Sequence, residues 1–230
     1  MTTKRQIKRL LRPLLERHPE LFAIESKFEG VDLILTPITH MVRGVAIRRS
    51  GIGDIPDYQW FFSYSFRARA PLTQFGGVPF LTSVFDEMRW SHPRQQDAFV
   101  EVIEETILPL LHSIDTVERM LALKHPASVL WDRGLQEVMN RIYINAALGR
   151  FDLVDEAARE LLALGYRETY FWSETTYQEA MEELWPLTQA GDKAGVAALL
   201  HDWERQFVEL HGLQTIYEKT PFPFEQRPRT

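Results

Sequence analysis

The sequence predicts an α+β protein: an N-terminal helix on an antiparallel sheet of about five strands, followed by an α-helical hairpin bundle. Three observations predict it. Apolar residues recur at helical spacing over residues 4 to 17, give way to short β-branched and aromatic runs between about 20 and 90, and return to helical spacing from Ser91 onward.

Ile7, Leu10, Leu11, Leu14 and Leu15 form one apolar stripe on the first segment, and its back is cationic. Next, "FAIESKF", "VDLILTP", "MVRGVAIRR" and "YQWFFSYSF" alternate with turn residues and read as four antiparallel strands. A fifth, "FLTSVFDEMRW", is expected after the Gly76-Gly77 turn. Phe99, Val102, Ile103, Thr106, Ile107 and Leu110 then make a helical stripe that Pro109 should kink or split. Asp115 and Glu118 have capping-box spacing for a helix from Val117 to Lys124. Leu135 to Leu148, Val154 to Leu164, Thr176 to Ala190 and Lys193 to His211 follow, with Gly149, Gly165, Gly191 and Gly212 at the stop positions.

The division expected from this pattern is an α+β domain over 1–124, a helical subdomain over 125–220 and an extended, proline-rich tail over 221–230. "AALGRFDLVDEAARELL" and "TQAGDKAGVAALLHDWE" share a layout, but two copies are too few for a solenoid, so a hairpin bundle is the better reading.

Composition removes several chemistries. The 230 residues include no Cys, which excludes disulfides, thiolate nucleophiles and Cys-ligated metals. No run approaches the length of a membrane span, and no apolar stretch suits a signal peptide, so the expected location is the cytoplasm. Charge is uneven: of the net −6, residues 1 to 17 carry +5, which leaves −11 for the rest. That acidic body disfavours nucleic acid as a partner, and a basic first helix is read as holding the protein's own halves together.

Seven histidines offer no metal-binding helix motif. His201 and Glu204 read as a solvated pair one helical turn apart, and Glu179, Glu182 and Glu183 as a solvated face. No metal site and no cofactor is expected. "GIGD" at 51–54 feeds a strand and not a helix, so it reads as a hairpin turn and not a phosphate loop.

The strands beside that turn are more informative. Alternation places Val42, Gly44, Ala46 and Arg48 on one side, with Met41, Arg43, Val45 and Ile47 on the other. A small-residue face lets something approach, either a packed helix or a ligand. Ligand-binding candidates are therefore His40, Arg43, Arg48 and Arg49, recognising a small anion. The connector "YRETYFWSE" supplies partner-contact candidates Tyr166, Tyr170, Phe171 and Trp172.

An amphipathic helix, an antiparallel sheet with a "VRGVAI" strand, and then "ILPLLHSIDTVERMLAL" together resemble small uncharacterised bacterial domains built on this plan. The likeness covers roughly residues 4 to 124, and it transfers no catalytic residue. Some proteins of this kind resemble immunity or adaptor proteins, which implies binding and not turnover. The expected function is thus a non-catalytic, protein-binding bacterial protein of the cytoplasm. The alternative is an enzyme acting on an anionic small molecule in a pocket on the sheet, with His40, Arg43, Arg48 and a carboxylate such as Asp86.

Overall fold

Thr3 starts the first helix as the sequence requires: its Oγ1 accepts from Gln6 N at 3.2 Å and its own N–H donates to Gln6 Oε1 at 2.8 Å. The structure, a computed structural model, describes residues 3–26, 30–48, 54, 57–73, 75–76, 85–123, 137–164 and 174–226. They fall into two units. The first comprises residues 1–63 with 71–127, and the second residues 64–70 with 128–230.

In the first unit, α1 (Lys4–Arg17) buries Ile7, Leu10, Leu11 and Leu14. Pro13 lies inside it, where proline's missing N–H frees the carbonyl four residues back. Gln96 Nε2 donates to that carbonyl, Arg9 O, at 2.8 Å, so the helix continues unbroken. The sheet runs in the order β1 (Leu21–Ser26), β2 (Gly30–Leu35), β3 (Met41–Arg48), β4 (Asp57–Tyr64) and β5 (Phe75–Gly76). β1 pairs antiparallel with β2, β2 with β3 and β4 with β5. Leu33, Val45 and Ile47 are buried on the sheet, as are Phe99, Ile107 and Leu111 on the helices that follow.

Of the expected fifth strand, residues 80–84 lie outside the described residues, and Phe85–Met88 forms a 3-10 turn; the fifth described strand is the two-residue Phe75–Gly76. "FDEM" has no apolar alternation to lay on a sheet. Helix α2 (Gln95–Val102) ends ahead of Pro109, in line with the expected division there. The chain passes through a wider, π-type turn over Ile103–Ile107 into α3 (Leu108–Ser113), with Leu108 N bonding to Ile103 O. The wider turn accommodates the carbonyl of Glu105 that the proline ring would otherwise strike. Helix α4 (Val117–Ala122) is capped by Thr116, whose side chain accepts from Arg119 N at 3.2 Å, one residue after the expected Asp115.

In the second unit, α5 (Val138–Ala147) and α6 (Phe151–Leu164) form a hairpin about Gly149, whose φ of 69° suits glycine. Then α7 (Glu174–Gln178), a second π-type turn over Glu179–Leu184 and α8 (Trp185–Gln189) repeat the device seen at Pro109, here for Pro186. Helix α9 (Lys193–His211) starts at Asp192, whose side chain accepts from Gly195 N, and ends at Gly212. Tyr64 and Phe66 of the 64–70 segment pack into this unit: Tyr64 lies 4.8 Å from Phe66 and 6.3 Å from Tyr143, ring centre to ring centre. The tail, expected to be extended and either clipped to the body by Phe222 and Phe224 or loose, is clipped in its described part: Phe222 is buried against Phe66, Phe224 packs on Phe151, and Pro223–Glu225 forms a 3-10 turn. Among the described residues no helix is long and apolar enough to cross a membrane.

Candidate functional site

Strand β3, which carries Arg43 and Arg48, is buried from Met41 to Ile47. Arg43 and Arg48 lie on opposite faces of it and are committed to different tasks. Arg43 Nη1 donates to Leu111 O at 3.0 Å, in the last turn of α3, where helix carbonyls lack intrahelical donors. Burial lowers its guanidinium pKa, against the opposing charge of Asp115. Arg48 Nη1 meets Asp32 Oδ1 at 2.5 Å. His40 is half-buried ahead of the strand. Arg49, Tyr166, Tyr170, Phe171 and Trp172 lie outside the described residues, and Asp86 falls in the 3-10 turn before α2.

The close approach that the small-residue face permits is an internal one. A Cβ on Gly44 would sit 2.8 Å from Phe61 Cζ and 2.1 Å from Leu33 O. Ser63, on the same alternation as Phe61, is buried and donates to Pro71 O at 3.2 Å. The turn ahead of β4 is anchored in the same manner, since Asp54 accepts from Ser91 N at 3.0 Å.

The exposed back of α1 offers a different kind of site. Lys4 pairs with Glu25, Arg12 with Glu16 and Arg17 with Glu104, at 3.2 to 3.3 Å. These partners all lie in the first unit. Arg5, Lys8 and Arg9 are exposed and form no ion pair among the described residues. A groove of about 490 Å³ runs between the flank of α1 and the β1 side of the sheet, lined by Lys8, Leu11, Arg12, Leu15 and Glu16 above and by Ala23, Glu25 and Val31 below; Glu16 and Glu25 are paired with Arg12 and Lys4, which leaves Lys8 as the lining cation without an ion pair among the described residues. A second concavity, of about 880 Å³, continues along the helix past Arg5 and Arg9 and shares Lys8 and Arg12 with the first. Spacing explains the arrangement: positions 5, 8, 9 and 12 share one helix face, as do 7, 10, 11 and 14.

At the end of α1, His18 lies between two carboxylates, with Nδ1 3.0 Å from Glu20 Oε1 and Nε2 2.7 Å from Glu104 Oε1. Burial lowers its pKa, but the hydrogen bonds and charges of Glu104 and Glu20 outweigh that and hold it above the ordinary value.

The second unit holds the polar groups that sequence reasoning misplaced. Glu204 is not solvated; it is 0% exposed. Its Oε1 accepts from Ser65 Oγ at 3.1 Å, and its Oε2 accepts from Tyr217 OH at 3.0 Å and lies 2.8 Å from His201 Nδ1. His201 Nε2 lies 2.9 Å from Glu225 Oε2, and Phe222 packs on the ring at 4.8 Å. Both ring nitrogens of His201 are thus engaged by carboxylates, and both oxygens of Glu204 by side chains of this unit. The signal was present: Glu204 lies four residues after Leu200 and three before Phe207, at the centre of the buried stripe.

Glu179 is likewise buried, where the sequence placed it on a solvated face. The π-type turn that begins at Glu179 rotates the helix relative to an α-helical count. Burial raises its carboxyl pKa, against the lowering charges of Arg67 and Arg69. Arg67 lies over the Tyr143 ring at 5.8 Å, and Tyr143 OH donates to Thr176 O at 2.9 Å. Among the described residues, no three His, Asp or Glu side chains are grouped to hold a metal ion.

Set beside known proteins, the chain matches no protein family, no curated protein and no solved structure.

Proposed function

We propose that the chain is a non-catalytic, protein-binding protein of the immunity or adaptor type, acting in the bacterial cytoplasm and engaging an acidic partner through the exposed face of α1. One observation carries this reading: Arg5, Lys8 and Arg9, exposed on one face of α1, form no ion pair among the described residues, and Lys8 also lines a groove with apolar walls. A positive face on an otherwise negative chain steers an anionic partner and fixes its register. The apolar lining, Leu11 and Leu15 above and Ala23 and Val31 below, favours a protein over a bare phosphate backbone.

The competing reading, an enzyme acting on an anionic small molecule in a pocket on the sheet, needs Arg43 and Arg48 to converge. It has less support, because the two guanidinium groups occupy opposite faces and each already has a partner. Native affinity capture from host lysate, with the full chain and with Lys8→Glu/Arg9→Glu, separates the two. A stoichiometric protein retained by the parent and lost on charge reversal supports binding; a retained small anion and no protein supports the enzyme.

A further inference from the structure

Strand β1 stands at the outer end of the sheet order. Its pairing with β2 fixes which of its backbone groups face the open side. Thr36 N donates to Glu20 O at 2.8 Å, so Glu20 and Thr36 form a backbone-bonded pair, and in an antiparallel ladder such pairs alternate with unbonded ones. Stepping along the register, Phe22↔Ile34 and Ile24↔Asp32 are bonded pairs, while Leu21↔Leu35, Ala23↔Leu33 and Glu25↔Val31 are not. The N–H of Leu21 agrees, for it turns to His18 O at 3.0 Å and not to β2. The N–H and C=O groups of Ala23 and Glu25 therefore point away from the sheet, and no described residue bonds to them there.

The same alternation directs the Ala23 and Glu25 side chains toward α1, as the Lys4 to Glu25 contact at 3.2 Å attests. A strand laid beside β1 would thus run beneath the flank of α1, in the groove that Lys8, Leu11, Arg12 and Leu15 overhang. Natural edge strands are commonly protected by proline, lysine, an inward-pointing charge or a bulge. The six residues "LFAIES" contain no proline and no lysine, their register with β2 is continuous, and their one charge, Glu25, is paired with Lys4.

We propose that β1 accepts an extended acidic segment of a partner protein as an added strand, a deepening that rests on the binding reading above. Backbone bonds to Ala23 and Glu25 would hold the segment, and small apolar side chains on its α1 side would meet Leu11 and Leu15. Its carboxylates would meet Lys8, which has no ion pair among the described residues, and Arg12, whose pair with Glu16 is largely exposed and readily exchanged. Neither nucleic acid nor a lipid headgroup can complete such a ladder.

The probe is a synthetic, end-capped peptide of the repeat Val-Thr-Glu-Thr, which presents valine and glutamate in turn on one face, labelled for fluorescence anisotropy and titrated with the full chain. Ala23→Pro removes one outward N–H without touching the β1–β2 ladder, a substitution edge strands tolerate. Two further peptides, N-methylated on one or the other alternate set of nitrogens, make the same test on an unaltered protein. The expected result is binding that falls roughly tenfold or more with Ala23→Pro, with Lys8→Glu/Arg12→Glu and with one methylated peptide. Affinity lost on charge reversal but unchanged by Ala23→Pro and by both methylations would overturn strand addition and leave the binding reading standing. No binding of the peptide to the parent chain at millimolar concentration would overturn strand addition too, and lysate capture then decides the binding reading separately. Displacement of the peptide by an oligothymidylate or by phosphatidylserine vesicles at matched charge would overturn the assignment to a protein strand.

Discussion

His201 Nδ1 lies 2.8 Å from Glu204 Oε2, and the carboxylate it faces is completely shielded from solvent. The opposite ring nitrogen meets Glu225 in the C-terminal segment, so one imidazole joins α9 to the residues that follow it. Burial alone would lower the His201 pKa, but hydrogen bonds and charge from Glu204 and Glu225 hold it above the ordinary 6.5. A raised histidine pKa contributes stability that is full below the unfolded value and is lost as pH rises through the folded one. Thermal melts across pH should show stability declining from about 6.5 upward, and His201→Gln should flatten that decline.

Glu204 has three side-chain partners and no access to water. Glu204→Leu would leave Ser65, Tyr217 and His201 facing an apolar group, so we expect a loss of about 3–5 kcal/mol in urea denaturation. Glu204→Gln keeps an acceptor and should lose less.

Glu179 behaves oppositely. A raised carboxyl pKa means that folding favours the protonated form, so at neutral pH ionisation works against the fold. Glu179→Gln should therefore raise the melting temperature at pH 7, and the gain should shrink as pH falls through the folded pKa. A variant less stable than the parent at both pH values would show that the charge of Arg67 outweighs burial.

Gly44→Ala tests the sheet. The added methyl would meet Leu33 O, a backbone atom that moves only with its strand, and the buried Phe61 ring. A cost of about 1–3 kcal/mol is expected in the same denaturation measurement. Gly191→Ala serves as a comparison, because its space is open and only the φ of 66° opposes it.

Periodicity made most elements legible before any coordinates: the stripe of α1, the four long strands and the helices ending at Gly149, Gly191 and Gly212 follow from local pattern alone. What stayed hidden was of two kinds. The π-type turns at Ile103–Ile107 and Glu179–Leu184 shift the helical count, so Glu179 was placed on the wrong face. Glu204 was hidden differently: its burial depends on Ser65 and Tyr217, whose side chains reach it from other parts of the chain. In the first unit, the cationic back of α1 was legible from spacing, but it was read as holding the protein's halves together, and that Arg5, Lys8 and Arg9 form no ion pair among the described residues was not. The outward parity of Ala23 and Glu25 was not, because it depends on the pairing register.

Residues 64–70 belong to the second unit although the first surrounds them in the chain. A gene fragment encoding 128–230 would accordingly lack a piece of its own interior. Without Ser65 Glu204 would lose one hydroxyl donor, and without Phe66 the ring of Phe222 would lose an edge-on neighbour. Such a fragment is a lock missing its pin, and a peptide spanning Tyr64 to Ala70, supplied separately, is the natural complement. The second unit is discontinuous in the chain, so it could not be excised by a single cut.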